Sequence, residues 1–283
     1  MESTRMRLTR RSFARCMTTA IGLAGVGLVS VGAAQLICQA RSAARYGQLA
    51  TSSAPTGGVA TLSLVDEGEG DGADAADETG EEAASAPLTC DVADWDGLLS
   101  QNPSCAAWCC VPSEGVDVPA VLATSTDEED WWLGHDFWGE ESDLGCACID
   151  ARCSGADDLH VMCFGHHVTT LPASMFSPLY DLWQQERFAG LGELRWSTPD
   201  LGTVSLSPLC AAEVGEADSI VQAFSLRSQE ELATFLHAHA ARCDARADAW
   251  EAQAALATRA VTLVTCSSAW ANQPYRTVVT FTV

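Results

Sequence analysis

Val261-Thr262-Leu263-Val264-Thr265-Cys266-Ser267-Ser268 is the stretch whose reading decides the rest of the chain. Its β-branched residues and Leu263 predict a strand that ends on a thiol, and Tyr275-Arg276-Thr277-Val278-Val279-Thr280-Phe281-Thr282-Val283 predicts the next strand, after a short polar loop. Two neighbouring strands joined in this way bring Cys266, at the end of one, close to Arg276, at the start of the other. A thiol is nucleophilic only as thiolate, and a nearby fixed cation both favours that form and stabilises an oxyanion formed by its attack on a carbonyl. Taken alone, Cys266 reads as a buried structural thiol, the commonest fate of a cysteine in a strand. The pair with Arg276 changes that reading, and the missing base or acid is offered by Val161-Met162-Cys163-Phe164-Gly165-His166-His167, a second apolar run ending on imidazoles.

Working outward, composition narrows what such a site serves. The chain of 283 residues contains no lysine, so every fixed cation is arginine, and its formal charge is −23. That balance argues against nucleic acid, whose phosphates demand a basic surface, and against adsorption on anionic lipid headgroups. Thirteen cysteines are present. Setting aside Cys16 and Cys38 in the N-terminal apolar run, and Cys266 as nucleophile, leaves ten whose pairing spacing does not determine.

Arg5, Arg7, Arg10, Arg11 and Arg15 precede an uncharged run from Cys16 to Ala40, long enough to span a bilayer, and only Arg41 and Arg45 follow it closely. The positive-inside rule then predicts a single-pass cell-membrane protein: residues 1–15 cytoplasmic, 16–40 a transmembrane anchor, everything later outside the cell. Thr9-Arg10-Arg11-Ser12-Phe13 also looks like a twin-arginine export signal, and Val31-Gly32-Ala33-Ala34 offers small residues for cleavage. Residues 41–89 are read as a disordered acidic linker, with nine acids between Asp66 and Glu82 and almost no large apolar side chain after Val65. Those acids lack the Gly-centred spacing of a calcium loop.

The folded part is expected over residues 90–283, about 190 residues, enough for one closed core. Trp95, Leu98 and Leu99 share one side of a predicted helix over 92–101, which Asn102-Pro103 ends. Ala107–Val111 and Val116–Leu122 read as strands. The four acids Asp127–Asp130 and the three tryptophans that follow up to Trp138 read as one solvated and one packed face, with His135 structural. Further on, a helix is expected over Leu179–Phe188, with strands at Leu191–Ser197, Gly202–Leu209 and Cys210–Val214. Ser228 and Glu231 form a capping box opening a helix that runs, with breaks, to about Thr258, on which His237 and His239 read as exposed or half-packed. Cys146, Cys148, Cys153, Cys163, His166 and His167 raise zinc as a possibility, but the paired Cys-x-x-Cys spacing of such sites is missing, so no metal and no cofactor are expected.

Strand-borne Thr262-Leu263-Val264-Thr265-Cys266, an Arg ten residues later, and upstream Phe164-Gly165-His166-His167 followed by Met175-Phe176-Ser177-Pro178-Leu179 resemble a class B sortase. Asp94–Leu99, Ala107-Trp108, Gly115–Pro119, His135–Glu140 and Ser207–Cys210 extend the resemblance in order over roughly residues 93 to 283. Sortases are bacterial surface transpeptidases, and the resemblance implies a mainly β fold: a closed eight-stranded barrel with an N-terminal helix and a long helix before the cysteine strand. It implies Cys266 as nucleophile, His166, directly after the Gly, as general acid and base, and Arg276 as the group that positions substrate and stabilises the oxyanion. The implied partners are surface proteins with a C-terminal sorting signal and a peptidoglycan-precursor amine, with N-terminal anchoring in the membrane. A cysteine endopeptidase using water, and a non-catalytic Cys/His-rich binding module, remain the alternatives. Cys109-Cys110, Cys146-x-Cys148 and Val264 depart from the usual class B pattern.

Overall fold

The computed structural model describes residues 37–52, 92, 94–215, 218, 221–267 and 274–283. Nine strands follow one another as β1 (Cys105–Val111), β2 (Val116–Leu122), β3 (Ala147–Ile149), β4 (His160–Phe164), β5 (Leu194–Thr198), β6 (Gly202–Gly215), β7 (Ala245–Arg246), β8 (Ala260–Cys266) and β9 (Tyr275–Thr282). Hydrogen bonding runs in the order β5-β1-β2-β3-β4-β8-β9-β6, and β6 pairs back to β5, so eight strands close into the expected barrel and the two-residue β7 extends it from β6. Closure leaves no free edge among the eight.

Strand period explains why these sequences are apolar on both sides. Val261 and Leu263 of β8, Val279 and Phe281 of β9, and Val161 and Cys163 of β4 point inward to the main core. Their alternates Ala260, Val264, Val278 and Met162 form a second, outer cluster. That outer face is roofed by α5 (Gln229–Ala240) and α6 (Trp250–Leu256) through Leu232, Leu236, Ala240 and Ala254. Ser228 caps α5 by accepting from the Glu231 amide, as its sequence spacing predicts. The long helix expected before the cysteine strand is thus present as two pieces, interrupted by a turn at Cys243 and by β7.

Smaller elements also differ from expectation. The two strands expected over 202–214 are one fourteen-residue strand with a bulge between Pro208 and Cys210, because proline cannot donate to the ladder and the strand bends there. The expected helix over 179–188 shrinks to α4 (Gln185–Phe188), preceded by a short 3-10 turn. Helix α2 (Trp95–Gln101) is capped by Asp94 and stops at Asn102 as predicted. In α3 (Thr126–Leu133), Trp132 is buried and Trp131 is exposed, stacked on His135, which matches the two-faced reading of that stretch.

The N-terminal expectation requires correction. Residues 37–52 form one helix, α1, that packs on the barrel, so the boundary set at residues 40 and 41 falls inside it. Buried Tyr46 donates its hydroxyl to the Gly145 carbonyl at 2.9 Å and accepts from the Phe137 amide at 2.8 Å, while Leu49 is buried beside it. Arg45 pairs with Asp136 at 3.3 Å and Glu140 at 3.0 Å and lies over the Trp138 ring. Gln39, assigned to the membrane span, instead donates to Asp143 and accepts from Thr170. Among the described residues no helix is long and apolar enough to cross a membrane, so the single-pass membrane localisation is not supported. Residues 16–36 of the expected span and 53–89 of the expected linker lie outside the described residues.

Candidate active site

The three residues singled out from sequence fall in one row at the ends of three adjacent strands. In β8 and β9 Cys266 and Arg276 are register partners. Strands β4 and β8 run parallel with Phe164 opposite Val264, and the Gly165 amide continues the ladder to the Val264 carbonyl at 3.0 Å. One step further places His166 level with Cys266. Strands lie about 4.8 Å apart, so the row His166, Cys266, Arg276 spans on the order of 10 Å of backbone.

Cys266 and Arg276 belong to the outer face by the two-residue period, alternating with inward Leu263 and Val279. Met162, Phe164, Val264, Val278 and Arg276 floor a groove of about 300 Å³ whose walls include Leu133 and Glu129 of α3 and Arg152. The His166 Nε2 lies 2.7 Å from the Leu133 carbonyl oxygen. A carbonyl only accepts, so in the neutral ring Nε2 carries the hydrogen and Nδ1 keeps the lone pair. His167 turns the other way. Its Nδ1–H donates to the Cys266 carbonyl at 3.2 Å and its ring stacks on Tyr180, whose carbonyl accepts from Thr277. The two adjacent histidines therefore have different partners: His166 is seated on the Leu133 carbonyl, which belongs to a groove-lining residue, and His167 braces the backbone of Cys266.

Two glycines make this packing possible. A Cβ on Gly165 would lie 2.5 Å from the Phe176 ring, and one on Gly145, whose φ is +61°, would lie 2.9 Å from the His166 ring and 2.7 Å from the Leu133 carbonyl. Sequence reasoning missed Gly145 and Leu133, which seat the imidazole, and Arg152. The Arg152 guanidinium grips Asp150 through Nε at 2.8 Å and Nη2 at 2.6 Å, reaches Gln222 at 2.8 Å, and so ties the segment after β6 to the groove wall. No local motif marks these residues, since each acts across the fold.

Three of the buried thiols of the barrel are of another kind. Burial pushes Cys105 and Cys148 up to about 12 and Cys153 up to about 11, so these remain neutral thiols. Cys110 is disulfide-bonded. Cys266, at the rim, is only partly buried. The cysteines and histidines considered for zinc in the 146–167 region do not converge; among the described residues, the donors that do are Cys210, His239 and Cys243. His239 is 2% exposed, which corrects its reading as an exposed or half-packed helix residue: α5 turns that face onto β9.

No protein-family model matches the chain, and no curated protein matches it. Solved structures do. The Staphylococcus aureus sortase B–substrate complex aligns over 66% of this chain and 83% of its own at 19% identity, TM-score 0.55. The fold is that of sortase B. Clostridium perfringens sortase B aligns over 66% of this chain and 97% of its own at 19% identity, TM-score 0.57, and Listeria monocytogenes sortase B over 66% and 99% at 16% identity, TM-score 0.54. The sortase B fold accounts for the closed barrel and its N-terminal helix; at these identities the likeness carries the fold, and the chemistry rests on the residues above.

Proposed function

We propose that the protein is a sortase-type cysteine transpeptidase that cleaves a C-terminal sorting motif of surface proteins and transfers them to a cell-wall amine. The observation that carries the reading is the register that sets Cys266 opposite Arg276 on β8 and β9, with His166 just past the end of the neighbouring β4, beside a groove that Arg276 lines. In the proposed reaction His166 takes up the Cys266 thiol proton, and the thiolate attacks the carbonyl of a threonine in the sorting motif, forming a C–S bond. Arg276, opposite Cys266 in register, stabilises the oxyanion and orients the peptide. Collapse of the tetrahedral intermediate breaks the C–N bond, with His166 delivering the proton that the leaving amine requires. An acceptor amine then attacks the thioester, His166 takes up its proton, and the thiolate departs as the new amide forms. Neighbouring structures include a sortase B with substrate and one with triglycine, which fits a groove that receives a peptide and an amine in turn.

The acid-rich composition contributes to solubility and leaves the arginines as the fixed cations for recognition. The test is to incubate the protein with sorting-motif peptides, with and without triglycine, and to weigh the products. Transpeptidation predicts a triglycine adduct and a trapped thioacyl enzyme, both lost in Cys266→Ala. Equal hydrolysis with and without the amine would assign the endopeptidase reading, and cleavage that survives Cys266→Ala would end the proposal.

A further inference from the structure

Beneath the helical roof, on the same outer face as the groove, a second set of chemistry-bearing side chains converges. Cys210 of β6, His239 of α5 and Cys243 in the turn after α5 offer two sulfurs and an imidazole nitrogen that all lie within 4.8 Å of one another, with residue exposures of 0%, 2% and 6%. We propose that these three residues form a binding site for one divalent cation of the soft, thiolate-preferring class, such as Zn²⁺, with the fourth position filled by water or a neighbouring carboxylate.

The donor set is Cys₂His, from three separate segments that the fold brings together. A tetrahedral cation held at about 2.3 Å from sulfur and about 2.0–2.1 Å from nitrogen keeps a sulfur and a nitrogen about 3.6 Å apart. The Cys243 Sγ lies 3.7 Å from Nε2 and 3.9 Å from Nδ1 of His239. Closing on an ion asks for a shift of a few tenths of an ångström and a turn of the ring about its Cβ–Cγ bond. Nε2 lies nearer that axis than Nδ1 and moves less.

The nitrogen that would bind is set by a chain of hydrogen bonds. The Ala223 carbonyl accepts from His160 Nδ1 at 2.8 Å, so neutral, fully buried His160 must accept at Nε2, where Thr262 Oγ1 lies 2.8 Å away. Thr262 therefore donates to His160 and accepts from Thr280 Oγ1 at 2.9 Å, and Thr280 in turn accepts from His239 Nε2–H at 3.0 Å. The sequence of donors leaves His239 protonated at Nε2 with its lone pair on Nδ1, the tautomer of a metal-ligating imidazole whose other nitrogen is held by an oxygen partner. Entry is also provided for. A cavity of about 110 Å³ opens over His239 and Cys243, bordered by Glu213, Asp244 and the Asp218–Arg242 pair. Bound there, the ion would pin the end of α5 and the following turn to β6.

The probe is Co²⁺, then Zn²⁺, added to the reduced full chain carrying Cys266→Ala to remove the rim thiol. One equivalent of Co²⁺ should give thiolate-to-cobalt charge-transfer absorption that Zn²⁺ abolishes, and the band should be lost in Cys243→Ser and in His239→Gln. Should those variants misfold, the protein without them supplies the readout: Zn²⁺ should suppress alkylation of Cys210 and Cys243, mapped by peptide mass, with chelator restoring it. Absence of the band in folded protein, its persistence in both folded variants, unprotected Cys210 and Cys243, or a Cys210–Cys243 disulfide in protein purified without oxidant would each overturn the site.

Discussion

Strands β8 and β9 carry two polar rows on one outer face, and cover separates them. At the strand ends, partly buried Cys266 lies opposite Arg276, which lines a groove open to solvent; about four residues further along β9, Thr262 and Thr280 lie buried under α5 with His160 and His239. The two rows share strands β8 and β9 and one face of them. In the buried row every donor is committed to a neighbour, which fixes tautomers and builds rigidity. In the rim row cover is incomplete, and on the proposed function its imidazole and sulfur are the groups that meet substrate. The difference teaches that a sheet face in this fold is assigned to structure or to reaction by where the helical roof stops.

The strongest way to break the comparison is to remove the rim sulfur. Cys266→Ala is expected to reduce peptide cleavage by on the order of 10³-fold or more while leaving the thermal midpoint within about a degree, since a rim thiol contributes little packing. Mass spectrometry of peptide products together with a melting curve checks both halves. Retained activity would place the reaction elsewhere on the molecule.

The two histidines sharpen the same division. His166→Gln is expected to lower turnover by about 10²–10⁴-fold. In His167→Gln the His166 imidazole survives and only the brace on the Cys266 carbonyl changes, so a smaller loss is expected, with the pH profile of kcat/KM retained. Arg276→Lys, which keeps the charge but not the planar fork, is expected to cost about 10²–10³-fold. A larger loss in His167→Gln than in His166→Gln would reverse the assignment of roles.

Much of this was legible in the sequence because strand signals are local. The β-branched runs around Cys266 and Val278, the Phe-Gly-His-His end of β4 and the Ser228 cap each state their element within a few residues. Residues 37–52 were not legible in this way: read with their apolar N-terminal neighbours, Ile37 to Ala40 look like the tail of a span, whereas Gln39, Ser42, Tyr46 and Leu49 form the buried side of an amphipathic helix. His239 was missed for a different reason. Its buried partners, Thr280 and Cys210, come from strands distant in sequence, so nothing near α5 announces that its last turn is covered. Gly145 belongs to the same class, since the ring it accommodates lies on a different strand end.

The buried row has its own pH signature. Burial, with the nearby His239 a lesser contributor, lowers His160 from its ordinary value of 6.5 to about 4. Between those values the unfolded chain binds the proton and the folded chain does not, so stability is full above 6.5 and falls as pH drops toward 4. A gap of that size is worth about 3 kcal/mol for a fully buried group. Urea unfolding at pH 7 and at pH 4.5, compared between the protein and His160→Gln, checks it: the drop attributable to this residue should vanish in the variant. A pH dependence identical in both would show that His160 does not carry it.

The smallest effect tests how the rim row is held in line. Gly165 sits between Phe164, on the groove floor, and His166, and its missing side chain lets the strand end lie against Phe176, whose ring a Cβ would meet at 2.5 Å. Because Phe176 is fully buried and the Gly165 amide is fixed by the Val264 carbonyl, neither side yields easily. Gly165→Ala should therefore cost about 1–3 kcal/mol, read as a fall of several degrees in the thermal midpoint, and should move His166 out of line with Cys266. Lower kcat than the stability loss explains, measured well below the midpoint, would show that the row works only in register; unchanged kcat would mean that the groove tolerates a displaced imidazole.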